Sequence, residues 1–162
     1  MSHSRRYTSG SAVAEPLVKL TLWWPVHVVP ELFGSVVIPE AVAHELSSDL
    51  APSLVRQWMS SLPAWISVQS VPTLPADLRS LDQGEAEAIA LAVVTGAELV
   101  LLDERKGRRA ARERQLNVAG TIGVLDAAAT RGLIRFAEAL DALARTSFRI
   151  SPRYLRELRS RA

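Results

Sequence analysis

The sequence predicts an α/β fold, a three-layer α/β/α sandwich around a central parallel sheet. Short apolar runs read as buried strands: "SVVIP" (35–39), "AWISVQSV" (64–71), "AELVLLD" (97–103) and "NVAG" (117–120). Between them lie segments with helical spacing of apolar residues, such as "APSLVRQWMSSL" and "EAEAIALAVV". Strands that alternate with helices favour parallel pairing, because a parallel neighbour needs a long crossover that a helix supplies.

In chain order, residues 1–12 are polar and small and are expected to be a flexible lead, with one domain over 13–162. A short helix is expected from Pro16 to Trp24, and a second helical piece ending at Gly34, with Pro16, Pro25 and Pro30 as punctuation. The strand at 35–38 closes on Pro39, which opens a helix with Ala41, Val42 and Leu46 inward. Leu54, Val55, Trp58 and Leu62 mark the next helix, a strand follows over 66–71, and "VPTLPADLRSL" is a connector. A helix from Gly84 to about residue 95 ends on Gly96 as a left-handed cap. The run 98–102 is apolar almost throughout and is expected in the middle of the sheet. A basic helix follows Asp103, and another runs from Thr121 to Gly132. Phe136, Leu140 and Leu143 line one face of the next, and Ser151 caps the last with Pro152 at its first position.

Composition excludes several chemistries. Without cysteine the chain has neither disulfides nor thiolate metal sites, and His3, His27 and His44 are too scattered to suggest zinc. No apolar run has membrane-span length and no signal-peptide core precedes Pro16, so a cytoplasmic protein without membrane contact is expected. There is no glycine-rich phosphate loop and no Gly-x-Ser-x-Gly elbow.

The net charge is only +2, yet the positive residues cluster. Arg105, Lys106, Arg108, Arg109, Arg112 and Arg114 share one segment; Arg145, Arg149, Arg153, Arg156, Arg159 and Arg161 crowd the tail. Such runs are commonly solvated helix faces. The alternative is a phosphate-binding surface, since the guanidinium fork matches phosphate geometry.

Carboxylates at strand and helix ends carry the rest. Asp82 fits the N-cap of its helix, which puts Glu85 at the position of a reciprocal capping-box acid. Glu87 lies two residues on, roughly 200° around the helix, so the two glutamates do not face one site together. Asp103 closes a strand, Glu104 follows it, and Glu45 sits late in its helix, where a negative charge opposes the helix dipole. Carboxylates converging from separate elements would suit a hard cation such as Mg²⁺ or Mn²⁺.

The segments "LFGSVVIPEAVAHEL", "LDQGEAEAIALA", "AELVLLDERKGRRAA", "GTIGVLDAAATRGLI" and "FRISPRYLRELR", taken together, resemble the PIN-domain superfamily, in particular its DUF-type branch of VapC-like prokaryotic proteins. That resemblance implies a metal-dependent ribonuclease acting on single-stranded RNA, often the toxin of a toxin–antitoxin pair. A cognate antitoxin and a homodimer are then the expected protein partners. It implies Glu45, Glu85 and Asp103 as catalytic and Mg²⁺- or Mn²⁺-binding acids, with Glu15 and Glu104 as further ligands and Thr121 beside the site. Arg105, Arg108, Arg109 and Arg112 would hold the RNA backbone. One departure stands out: in an ungapped alignment the family's first Asp falls at Val13, and the nearby acid is Glu15. Either Glu15 substitutes, or the site has lost a ligand and its activity is reduced. The alternative function is a catalytically inactive PIN-like module that binds RNA or protein.

Overall fold

The computed structural model describes residues 11–14 and 27–162. Five strands form one parallel sheet: β1 (Ser11–Ala14), β2 (Ser35–Pro39), β3 (Ile66–Gln69), β4 (Leu99–Leu101) and β5 (Val118–Ala119), in the order β3-β2-β1-β4-β5. The helices among the described residues are α1 (Val28–Phe33), α2 (Glu40–Ser47), α3 (Ser53–Met59), α4 (Gln83–Thr95), α5 (Arg105–Glu113), α6 (Thr121–Thr130), α7 (Phe136–Ala144) and α8 (Pro152–Arg159).

Alternate strand residues feed two cores, one on each face of the sheet. Val36, Ile38, Leu99, Leu101 and Ala119 pack with Val28, Leu32 and Phe33 of α1 and with Val124 and Ala128 of α6. Val37, Val100, Leu102 and Val118 pack on the other face with Ala86, Ile89 and Leu91 of α4 and with Ala111 of α5. This is the expected three-layer sandwich. Helix α4 is apolar almost all round because it is buried, and its alanines give it strong helix propensity. It stops at Gly96, whose φ of 63° and ψ of 36° are the left-handed cap its position suggests.

The sequence expectations need correction in four places. The central strand is β1, not the 98–102 run; β4 lies between β1 and β5. Any interior strand covered on both faces is apolar, so apolarity does not single out the middle one. Strand β3 ends at Gln69, short of residue 71; at the sheet edge only its first residue is buried, and Val68 is 42% exposed. The connector before α4 contains a 3₁₀ turn, Ala76–Leu78, that buries Leu78. Residues 11 and 12, expected in the flexible lead, belong to β1. The helix expected over 16–24 lies outside the described residues.

From β1 the sheet grows through β2 and β3 to one side and through β4 and β5 to the other. At such a reversal parallel sheets place ligands in the crevice beyond the carboxyl ends of the strands, here those of β1 and β4. Asp103 lies two residues past the end of β4.

Ile89 is fully buried between α4 and the sheet. Ile89→Ala is expected to cost about 2–5 kcal/mol. In urea unfolding the midpoint should fall with the slope unchanged, as for loss of packing without change of fold.

Candidate active site

Asp103 is held by the next crossover. The Thr121 backbone N–H donates to its Oδ1 and the Thr121 hydroxyl to its Oδ2, both at 2.8 Å. Helix α6 therefore has its first turn capped from β4 rather than from its own N-cap residue, Gly120, which has no side chain. A Cβ on Gly120 would lie 3.2 Å from Asp103 Oδ1 and 3.4 Å from Arg108 Nη1. The missing side chain thus leaves room for a carboxylate and a guanidinium to approach the same point. Thr121 is buried and contacts the site; it is the first residue of its helix, not the cap.

Glu85 occupies the third position of α4. The Asp82 side chain accepts from the Gly84 N–H at 3.2 Å, so Asp82 is the cap that the sequence suggests. Glu85 is only 4% exposed, and its Oε1 is buried without a hydrogen-bond partner among the described residues. Its carboxylate fits against Gly107 of α5, where a Cβ would come within 2.7 Å of Oε1. Burial pushes the Glu85 pKa up, and the charges of Glu104 and Asp82 push it further. A backbone hydrogen bond at Asp82 opposes the rise, and Asp103 adds to it. Glu85, Asp103 and Glu104 thus share one region of negative potential at the crevice.

Glu45 is exposed in the last turn of α2. Glu87 turns elsewhere: its Oε2 accepts from the Ala41 N–H, and its Oε1 from the Gln83 side chain, each at 3.0 Å. It caps α2 from α4. Glu104 is exposed at the N-cap position of α5. Glu15 lies outside the described residues. Val13 pairs with Val37 and Val100. Val100 is three residues before Asp103, about 10 Å of strand.

An all-oxygen donor set suits Mg²⁺ or Mn²⁺ rather than a softer metal. The buried Glu85 oxygen, lodged in the space that Gly107 leaves and without a hydrogen-bond partner among the described residues, fits a group that would supply positive charge there. Among the described residues no three acidic or histidine side chains are already gathered tightly enough to hold an ion.

The basic helix divides. Arg108 and Arg112 line a cleft of about 970 Å³ that includes Asp103 and Thr121. Arg105 and Arg109 are exposed and do not line it, and Arg109 pairs with Glu113 at 3.0 Å. The same cleft is lined by Arg149 and Arg161, which the sequence offered only as part of a basic tail, and by Tyr154, Phe136, Phe148 and the acid Asp126, which it did not single out. Their signal was present as aromatics interleaved with arginines in "FRISPRYLRELRSR", but only the tertiary fold carries that segment to Asp103.

Two expectations follow. Gly107→Ala adds a methyl group where Glu85 Oε1 stands and should destabilise the fold by about 1–3 kcal/mol. In a Glu85→Ala background the same change should become neutral or stabilising, since alanine is otherwise the better helix former by about 1 kcal/mol. Urea titration of the double-mutant cycle measures the sign change. The second concerns pH. A raised folded-state pKa means that the native protein keeps the Glu85 proton to higher pH than the unfolded chain does. Its stability contribution is therefore full below the ordinary glutamate value of about 4.3 and is lost as pH rises through the folded value. Glu85→Gln removes that loss, so without added metal the variant should gain stability relative to the native protein as pH rises from about 4 to 8. A difference constant across that range would contradict this.

No curated protein matches the chain. A family model described as a PIN domain matches residues 13–162, a span that includes Glu85, Asp103, Thr121 and the whole cleft. With a parallel sheet and acids at its carboxyl edge already in place, that match establishes the family: the chain belongs to the PIN-domain superfamily, whose members are generally nucleases.

Proposed function

We propose that this protein is a metal-dependent endoribonuclease of the VapC type acting on single-stranded RNA, with reduced activity. The observation that carries this reading is the buried Glu85 oxygen without a partner, set beside Asp103 and Glu104 at the crevice of the sheet. Glu85 and Asp103, with Glu104, would hold Mg²⁺ or Mn²⁺; Glu45 and Glu15 are the further acids the family pattern implies. Such an ion, when bound, lowers the pKa of a water for attack on a phosphodiester and offsets the charge that develops.

The chain's own residues do the rest. Thr121 fixes both oxygens of Asp103, so that carboxylate needs no reorganisation. Gly107 keeps Glu85 in place. Arg108, close to Asp103 across Gly120, supplies a guanidinium for a phosphate oxygen. The toxin role, a cognate antitoxin, a homodimer and a cytoplasmic setting belong to the same proposal, on the strength of the family pattern.

Reduced activity is proposed because Val13 stands at the family's first acid position in the ungapped alignment. This leaves Glu15 as the nearby acid. It also gives substance to the second reading, a catalytically inactive module that keeps the fold and binds RNA or protein.

Mn²⁺ should raise the melting temperature of the native protein and shift that of Glu85→Gln or Asp103→Asn much less. Cleavage of a labelled single-stranded RNA with Mn²⁺ should drop about 100-fold or more in Asp103→Asn, the order seen when a charge-stabilising group is removed from a catalytic site. Val13→Asp should raise it; a loss on Glu15→Gln would instead mean that Glu15 has replaced the missing acid and that the site is not degenerate. No metal-dependent shift and no cleavage would leave the binding module as the function.

A further inference from the structure

The tail arginines differ in what surrounds them. Arg153 pairs with Glu157 at 3.3 Å and Arg159 with Asp141 at 2.6 Å. Arg135 pairs with Glu138 and Arg109 with Glu113, each at 3.0 Å. Arg108, Arg112, Arg149 and Arg161 take part in no ion pair among the described residues, and all four line the cleft beside Asp103. Guanidiniums that already have carboxylates lie outside the cleft; those facing it keep their charge available. Within the cleft these four stand against two aspartate side chains, Asp103 and Asp126.

Aromatic surface accompanies that charge. Tyr154, in the first turn of α8, is 44% exposed on the cleft wall, with Phe136 and Phe148 half-buried nearby. The Ser151 hydroxyl accepts from the Tyr154 N–H at 3.2 Å and so fixes the turn that carries the ring. A positively charged groove with an exposed ring is the construction that holds single strands: cations follow the backbone, and bases stack on the aromatic face. Duplexes, with their bases already stacked, have no use for the ring.

We propose that this cleft is a strand-binding subsite that extends from Asp103 and holds its strand independently of metal. It would hold the nucleotides on one side of the cleaved bond, with Arg112, Arg149 and Arg161 on phosphates and a base stacked on Tyr154. The proposal rests on the nuclease reading for its substrate class, but binding here needs neither the metal nor Glu85. The C-terminal helix α8 is then a clamp for the substrate strand and not only a cover for the fold.

The test is fluorescence anisotropy of the full chain with a labelled single-stranded RNA of about ten nucleotides, in EDTA. Tyr154→Ala should weaken binding about tenfold, while Tyr154→Phe, which keeps the ring, should bind nearly as the native protein does. Arg149→Ala and Arg161→Ala should each flatten the slope of log affinity against log salt by about 0.7. Arg153→Ala, on the same helix but outside the cleft, should change little, and thermal melts establish that each variant is folded. Native-like binding by Tyr154→Ala and both cleft-arginine variants would overturn the subsite. So would an equal loss in Arg153→Ala, which would mean diffuse surface charge, or competition by an acidic peptide as strong as by RNA, which would mean a protein dock. Asp103→Asn separates the two readings. If it abolishes cleavage while the cleft variants bind normally, the nuclease stands and the subsite falls. If the cleft variants lose binding but the native protein never cleaves with Mn²⁺, the subsite stands and the nuclease falls.

Discussion

The bidentate contact between Asp103 and Thr121 organises the carboxyl edge of this molecule. It joins the chain just past β4 to the start of α6 and satisfies the Thr121 backbone N–H, one of the free donors of that helix's first turn. With Asp103 held there, the chain that leads from it into α5 brings Gly107 against Glu85 and Arg108 towards Gly120. One acid therefore sets the approach of a second acid and of the first arginine of the cleft. Helix caps and site chemistry are usually described apart, but here the same oxygens serve both.

Much of this was legible in the sequence because it depends on local rules. Asp82, Glu85 and Gly96 mark the start and end of α4 by cap chemistry that acts within a few residues. Ser151 and Pro152 mark α8 in the same way. Glu87 was separable from Glu85 by helix geometry alone, and its bond to the Ala41 N–H agrees. Strand order was not legible, since apolarity reports burial on two faces and not which neighbour lies alongside. The division of arginines was equally hidden: Arg108 and Arg109 are adjacent in sequence, yet one lines the cleft and the other pairs with Glu113 in solvent. Arg149, Tyr154 and Arg161 line the same cleft as Asp103 only through the tertiary fold.

The cost of Glu85 is informative. A buried carboxylate near other acids, with one oxygen unsatisfied, lowers stability, and packing alone would favour an apolar residue there. Folds tolerate such groups at places where something binds. The two cores on either side of the sheet are well filled and anchor the strands, so the crevice can carry this strain without losing its geometry.

The cleft has one further consequence, which concerns the order in which the protein is made. Every described acid of the crevice, and Thr121 that fixes Asp103, precedes Tyr154 and Arg161 in the chain. Synthesis runs at about 5–20 residues per second, so the acids emerge seconds before the wall that faces them. During that interval the nascent chain can assemble the sheet and the negative crevice while the arginine-and-tyrosine side is still missing. A chain cut short before α8 would lack Tyr154, Leu158 and Arg161 of the cleft lining. On the proposed reading, the growing chain, attached to a ribosome built largely of RNA, gains its full grip on a strand only once α8 has left the exit tunnel.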